Sequence, residues 1–139
     1  MYGVLADTGP LVALLNRNDD FHSACKDEFR RIADPLLTVW PVITEVMHLL
    51  PARSAGRDAL WEMMAVGVLR VVALDDGDMP RMREIMRKYD DQGVDLADAA
   101  LVRVAERESL ERIFTLDRDF TVYRIGRTGR FSIMPAIGR

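Results

Sequence analysis

The sequence predicts an α/β fold in which a mostly parallel sheet of four to five strands is covered by helices on both faces. Short β-prone apolar segments alternate with amphipathic helical segments along the whole chain, and each parallel connection should cross over in the right-handed sense. The length of 139 residues suits one sizeable core, and no repeat or linker interrupts the pattern. We therefore expect residues 1–139 to form a single domain.

The composition is that of a globular protein and argues against several classes of site and location. Hydrophobic residues make up 49% and charged residues 29% of the chain. No apolar run approaches the ~20 residues that span a bilayer, and the N-terminus lacks the features of a signal peptide, so we expect a cytoplasmic protein. Cys25 is the only cysteine, which excludes an internal disulfide and a thiolate metal site.

The first strand is predicted at residues 4–6, immediately before the turn Asp7-Thr8-Gly9-Pro10. Pro10 suits the first position of a helix because its missing N–H needs no partner there, and apolar residues follow it at helical spacing. Asp7 therefore lies at the carboxyl end of a strand, where ligands bind in open parallel sheets. A turn or capping aspartate is the alternative interpretation.

A helix, a strand and a second helix are predicted at residues 21–32, 36–39 and 41–50. Glu45 stands among apolar neighbours on the last of these helices. Because burying an unpaired carboxylate is costly, Glu45 needs either a cation or a hydrogen-bonding partner. His48 is the candidate partner nearest in sequence.

The middle of the chain predicts a helix at 54–66 with Trp61 in the core, followed by a strand at 68–74. It then predicts a helix at 79–89 whose methionine-rich core stripe begins at Met79. The nearly continuous apolar character of the strand is typical of an inner parallel strand. The acidic run at 75–78 lacks the spacing of a calcium loop, so it predicts a turn that caps the next helix.

The central helix begins near Asp95 and is apolar on most sides through residue 105, which predicts burial on several faces. Asp95 can cap this helix by accepting from its free N–H groups, a contribution of about 1 kcal/mol. Asp98 lies three residues later on nearly the same face. Because Asp95 can supply the cap, Asp98 is a candidate ligand.

A fourth strand is predicted at 112–116, directly before Asp117, and a fifth at 131–134. The carboxyl ends of parallel strands share one edge of a sheet, and the helices that follow them begin at that edge. The four acids that this rule can bring together are Asp7, Glu45, Asp98 and Asp117.

Four neighbouring carboxylates raise each other's pKa unless cations neutralise them. Oxygen ligands without a thiolate or a histidine pair favour Mg²⁺ or Mn²⁺ over Zn²⁺. Such ions can activate water and stabilise the charge of a phosphodiester during in-line attack. The pattern therefore predicts metal-dependent hydrolysis of phosphodiester bonds.

The sequence also resembles the PIN-domain nucleases nearly from end to end. The segments that carry the resemblance are residues 5–11, 40–45, 95–99 and 114–120. The resemblance implies a small α/β/α domain whose acids hold Mg²⁺ or Mn²⁺ and cut RNA. Many compact bacterial members that the chain resembles are VapC-type toxins, which usually dimerise and are inhibited by a small antitoxin whose C-terminal segment fills the active-site groove.

The resemblance also assigns roles to single residues. Asp7, Asp98 and Asp117 are expected to bind metal directly or through water, while Glu45 either binds metal or positions the attacking water. The resemblance implies that two threonines orient ligands or water and that Asp119 is a secondary acid. Asp95 is expected to support the site, although it is not at a fixed ligand position of the family. These supporting residues are Thr8, Thr115, Asp95 and Asp119.

The charge distribution is uneven. The net charge of -3 argues against holding nucleic acid by bulk electrostatics. From residue 118 onward, however, the chain contains five arginines and only one acid, Asp119. Contact with RNA phosphates or with a partner, and a flexible solvated tail, are equally open interpretations. These arginines are Arg118, Arg124, Arg127, Arg130 and Arg139.

The sequence also allows two other classes of function. A catalytically inactive RNA- or protein-binding module could keep the fold, with its acids stabilised by a basic side chain such as Arg103, although the presence of all four acids favours the enzyme. A flavodoxin-like or receiver-like phosphate-binding domain shares the layout. It would need a Gly-rich loop after the first strand, which Thr8-Gly9-Pro10 does not supply.

Overall fold

The structure is a computed structural model that describes residues 1–136, so Arg139 lies outside the described residues. Its strands are β1 (Val4–Ala6), β2 (Leu36–Thr38), β3 (Leu69–Val71), β4 (Arg112–Phe114), β5 (Arg124–Ile125), β6 (Gly129–Arg130) and β7 (Ser132–Met134). Five of them form one sheet in the order β3-β2-β1-β4-β7, and every pairing in it is parallel. The predicted α/β class is confirmed, and the carboxyl ends of β1 and β4 lie side by side.

Six α-helices of the described residues flank the sheet, each where the sequence predicts one. They are α1 (Thr8–Leu15), α2 (His22–Arg31), α3 (Trp40–Leu49), α4 (Ala55–Ala65), α5 (Met79–Lys88) and α6 (Leu96–Glu108). Pro41 and Pro80 lie in the first turns of α3 and α5, where a missing N–H costs nothing. Leu50 ends α3 in an extended conformation because the residue before a proline disfavours the helical region. In the described chain, no helix is both long and apolar enough to cross a membrane.

Helix α6 lies in the core, as its apolar character predicts. Ala99, Ala100, Leu101 and Val102 are all 0% exposed, and α6 contacts both α3 and α5. Small alanine side chains let its backbone approach its neighbours closely. The first turn of α6 is therefore held rigidly against the rest of the fold.

The inner position predicted for the third strand is wrong, because β3 is an edge strand that pairs only with β2 in the described sheet. Two predictions about the helices in the core are also wrong. Trp61 of α4 is 56% exposed and Met79 of α5 is 58% exposed, whereas Leu60 and Ile85 carry the buried faces of these helices. Helical spacing identifies an apolar stripe, but it does not show how much of that stripe the neighbouring elements cover.

The antiparallel pair β5–β6 was not expected from the sequence. Each strand has only two residues, so no alternation of apolar and polar side chains could reveal them. Gly126 begins the turn between them with φ of 66°, a conformation that glycine adopts without strain.

The acidic run at 75–78 forms the predicted turn and cap. Asp75 accepts from the Gly77 N–H at 2.9 Å, and Asp78 accepts in return from the Asp75 N–H at 3.0 Å. Asp78 is buried and also accepts from Arg103 Nε and Arg107 Nη1, each at 2.7 Å. Burial alone would raise the pKa of Asp78, but these donors hold it below its ordinary value. The ion pairs fasten the start of α5 to α6.

Replacing Asp78 should destabilise the fold strongly. Asp78→Ala leaves Arg103 and Arg107 partly buried without their shared anion, so we expect the free energy of unfolding to fall by about 3 kcal/mol. Denaturant unfolding at pH 7 measures this loss, and Asp76→Ala, in the exposed part of the same turn, is the control. Equal stability of the two variants would contradict the assigned role.

Candidate metal centre

Three acids that are far apart in the sequence converge at the carboxyl edge of the sheet. Asp7 follows β1 and caps α1, Asp98 lies in the first turn of α6, and Asp117 follows β4 and caps a 3-10 turn at Arg118–Thr121. One carboxylate oxygen from each lies within 4.8 Å of the others. The structure therefore brings three of the four predicted acids together at this edge of the sheet.

Asp7 is held by two short hydrogen bonds. Its Oδ1 accepts from the Thr8 N–H at 2.8 Å, and its Oδ2 accepts from the Thr115 hydroxyl at 2.7 Å. The same hydroxyl accepts from the Asp117 N–H at 3.0 Å, so Thr115 connects two of the acids. Burial raises the pKa of Asp7 to about 6, and the charges of Asp117 and Glu45 add to this effect against the opposing hydrogen bonds.

Asp95 and Asp98 cap the start of α6 reciprocally. Asp95 Oδ1 accepts from the Asp98 N–H at 2.9 Å, which confirms its predicted capping role, and Asp98 Oδ2 faces the Asp95 N–H at 3.5 Å. Asp98 Oδ2 also accepts from the Tyr123 hydroxyl at 3.1 Å. Burial and the charges of Asp7 and Asp95 raise the pKa of Asp98 to about 7. Its Oδ1 has no hydrogen-bond donor within residues 1–136.

Glu45 joins the wall of the same cavity from α3. Its Oε1 accepts from the Thr8 hydroxyl at 2.6 Å, whereas His48 is exposed to solvent. The partner of Glu45 is therefore Thr8 and not His48. Burial raises the pKa of Glu45 despite this hydrogen bond, and the charge of Asp95 adds to the rise.

The cavity between these residues has a volume of about 360 Å³ and carries a concentrated negative charge. Its acids are Asp7, Glu45, Asp95, Asp98, Asp117 and Asp119. No lysine or arginine of the described chain lines it, and Arg103 is committed to Asp78. Arg103 therefore does not stabilise these acids. An all-oxygen donor set with uncompensated charge fits Mg²⁺ or Mn²⁺.

The sequence pattern did not identify Tyr123 as a contact of Asp98. Its ring is 0% exposed and packs edge-on against Tyr89 and Phe120, with centroids 4.9 and 5.0 Å away. Its hydroxyl donates to an acid that precedes it by 25 residues. The sequence signal is weak, because a lone tyrosine after the 114–120 segment indicates burial but not a partner.

The basic residues predicted to contact RNA lie outside the acidic cavity. Arg118 is exposed beside Asp117, and the others belong to the β5–β6 pair and its turn. These other arginines are Arg124, Arg127 and Arg130.

Comparison with known proteins gives a consistent result. The chain matches the model of the family described as PIN domain over residues 4–126. It is 30% identical over 136 residues to Ribonuclease VapC26 of Mycobacterium tuberculosis (strain ATCC 25618 / H37Rv), which covers 95% of this chain and 100% of that protein. The crystal structure of Mycobacterium tuberculosis VapC20, a Sarcin-Ricin loop cleaving toxin, superposes with a TM-score of 0.78 at 20% identity. That match covers 86% of this chain and 94% of the other, and it shows a shared fold.

The raised pKa values of Asp7 and Asp98 predict how stability depends on pH when no divalent ion is present. Both carboxyls bind protons more tightly in the folded chain than in the unfolded chain, where their pKa is near 3.8. By linkage, their contribution makes the fold less stable as the pH rises from about 4 to about 7. In EDTA, Asp98→Asn should therefore raise the Tm at pH 7.5 by about 3 °C or more and reduce its pH dependence. An unchanged pH profile of Tm in this variant would contradict the assignment.

The Tyr123 hydroxyl should affect metal binding more than packing. Tyr123→Phe keeps the ring and removes the donor that orients Asp98, so we expect Mn²⁺ affinity measured by calorimetry to fall by about tenfold. Tyr89→Phe is the matched control, because its hydroxyl accepts from the Arg124 N–H and touches none of the clustered acids. Equal Mn²⁺ affinity in the two variants would show that Tyr123 only packs.

Proposed function

The chain belongs to the PIN domain family, and from this membership we propose that it is a metal-dependent endoribonuclease of the VapC type. The proposal rests on one observation above all, the convergence of Asp7, Asp98 and Asp117 in a cavity that no lysine or arginine of residues 1–136 lines. Hydrolysis of RNA phosphodiester bonds is the chemistry that such a site supports in a relative of a ribonuclease. The flavodoxin-like or receiver-like alternative is wrong, since the chain belongs to a different family.

Asp7, Asp98 and Asp117 would hold Mg²⁺ or Mn²⁺. Hydrogen bonds to Asp98 Oδ2 and Asp117 Oδ1 orient these two side chains, and their other oxygens have no donor within residues 1–136. Thr115 keeps Asp7 and Asp117 at a fixed separation. A bound ion would supply Lewis-acid stabilisation of the charge that develops on the phosphate.

Glu45 would position the attacking water and accept its proton. It lines the cavity but does not belong to the close group of three acids, and its raised pKa suits a general base better than an ordinary glutamate. Thr8 holds its Oε1 and so fixes the direction of the carboxylate. Asp119 lies at the same cavity, where burial and the charge of Asp117 raise its pKa, and would serve as a secondary acid.

From the similarity to VapC proteins, we also propose the partners of this chain. RNA is the substrate, and a small antitoxin protein would inhibit the chain by filling the acidic cavity. A homodimer is also part of the proposal, and the exposed apolar side chains Met79 and Leu96 border one groove that suits an interface. A cytoplasmic location is also part of the proposal, because a ribonuclease would meet its RNA substrates there.

A catalytically inactive binding module remains the alternative. It would need a reason to keep six acids at one cavity with no compensating lysine or arginine from the described chain. An ion pair with Arg103 does not explain these acids, because Arg103 binds Asp78, which lies outside the cavity.

Cleavage assays test the enzyme against the binding module. Purified wild-type protein should cut members of a panel of structured and single-stranded RNAs with Mg²⁺ or Mn²⁺ and should cut none in EDTA. Asp98→Asn should reduce the rate by at least about a hundredfold, because it removes a ligand charge while preserving shape. Strong metal-dependent cleavage by a folded Asp98→Asn preparation would refute the assignment.

Glu45→Gln separates the two roles that the sequence left open for Glu45. If this residue positions water, the variant should lose kcat while its Mn²⁺ affinity, measured by calorimetry, stays within about threefold of wild type. Asp76→Asn, in an exposed turn, is the control. A loss of Mn²⁺ affinity as large as that of Asp98→Asn would instead make Glu45 a ligand.

A further inference from the structure

The hairpin formed by β5, its turn and β6 concentrates positive charge on a protein of negative net charge. Arg124 and Arg130 are direct partners in its antiparallel register, and Arg127 lies in the turn between them. Directly opposed residues project from the same face, where like charges repel. None of the three arginines forms an ion pair with another residue in the range 1–136.

This hairpin is fastened to the helices beneath it. The Gly126 N–H donates to Glu106 at 2.9 Å, and Arg81 holds Glu106 through two hydrogen bonds of 2.9 and 2.7 Å. The Arg124 N–H donates to the Tyr89 hydroxyl at 2.9 Å. The flexible-tail interpretation is therefore wrong for residues 124–130, because their backbone is tied to α5 and α6.

A cleft of about 530 Å³ between the hairpin and these helices adds to the positive surface. Four cationic side chains and one acid, Glu106, line it. Arg81 and Arg103 are neutralised by carboxylates, whereas Lys88 and Arg127 have no ion pair within the described chain. The cleft therefore has two uncompensated positive charges.

The hairpin also has a fixed position relative to the acidic cavity. Arg124 directly follows Tyr123, whose hydroxyl contacts Asp98. Asp98 and Glu106 lie on α6 eight residues apart, which corresponds to about 12 Å along the helix axis. Successive nucleotides of one strand in a duplex are ~3.4 Å apart along the axis. The separation along α6 therefore corresponds to a few nucleotides.

We propose that Arg127, Arg130 and Lys88 bind the phosphates of the RNA strand a few nucleotides from the bond that is cut, with Arg124 stiffening the hairpin. The inference rests on the proposed function and names the surface by which that site holds its substrate. Six acids repel a polyanion, so a nuclease with this cavity needs a separate cationic surface to hold RNA. The contacts are to phosphates, so this surface fixes the position of the strand and not its sequence.

Arg124 supports this arrangement through its own side chain. Its Nη1 donates to the carbonyls of Thr121, Val122 and Tyr123 at 3.0, 2.8 and 3.3 Å. These bonds close the turn that leads into β5. Arg127 and Arg130 are exposed, which leaves their guanidinium groups open to bidentate contact with phosphate.

Binding and cleavage are measured separately to test the inference. Fluorescence anisotropy of a labelled single-stranded RNA reports binding to proteins carrying Asp98→Asn, so that cleavage does not interfere. Adding Arg127→Gln and Arg130→Gln together should weaken binding by about tenfold or more and lower the slope of log K against log salt by roughly 1.4, the value for two lost phosphate contacts on a single strand. Lys88→Gln should weaken binding in the same direction.

The matched control makes the same change in charge on α2. Arg30→Gln with Arg31→Gln alters two exposed arginines, and it should leave RNA affinity, salt slope and cleavage unchanged. Tm values of all variants verify that each is folded. In the otherwise wild-type protein, the hairpin double variant should raise KM more than it lowers kcat.

The outcomes distinguish this inference from the proposed function. If the wild type cleaves RNA but the hairpin variants bind and cleave as it does, the inference is overturned and the ribonuclease stands. If no RNA is cleaved while the hairpin variants alone lose RNA binding, the surface stands and the ribonuclease does not. A polyglutamate peptide that binds the hairpin as tightly as RNA does would assign the surface to an acidic protein segment and overturn the inference.

Discussion

The burial of several carboxylates at one edge of the sheet, to which their mutual repulsion adds, is the constraint on which the rest of this structure depends. Burial raises the pKa of Asp7 to about 6 and that of Asp98 to about 7, so in the absence of a cation their ionised forms oppose folding. The tightly packed core of α6 and the parallel strands must offset that cost. Thr115 connects Asp7 to Asp117 by two hydrogen bonds and holds them in place despite their repulsion.

In a sequence, an aspartate can be interpreted as a helix cap or as a candidate ligand. In this fold, three aspartates that cap a helix or turn also line the acidic cavity. Asp7 caps α1, Asp95 caps α6, and Asp117 caps the 3-10 turn after β4. In Asp117, the cap occupies Oδ1 and so leaves Oδ2 for the cavity. A helix or turn that begins at the edge of the sheet therefore orients the aspartate that caps it. The cap also explains why an aspartate stands at that position.

Positive charges are distributed so that they do not cancel the acidic cavity. Arg103 and Arg107 are bound to Asp78, and Arg81 is bound to Glu106. These pairs fasten α5, α6 and the hairpin together some distance from the clustered acids. Three arginines that form no ion pair within the described chain, Arg124, Arg127 and Arg130, lie on the hairpin, so this positive surface and the acidic cavity are separate regions of the protein.

The sequence by itself determined how the helices alternate with the five strands of the main sheet, the position of Asp7 and Asp117 at strand ends, and the cap made by Asp95. These follow from spacing and turn chemistry between near neighbours, which are local properties of a chain. Tertiary structure alone decided that Thr8 is the partner of Glu45, that Tyr123 contacts Asp98, and that the hairpin is fixed. Each of those contacts joins elements distant in sequence, and no local pattern encodes which surfaces packing brings together.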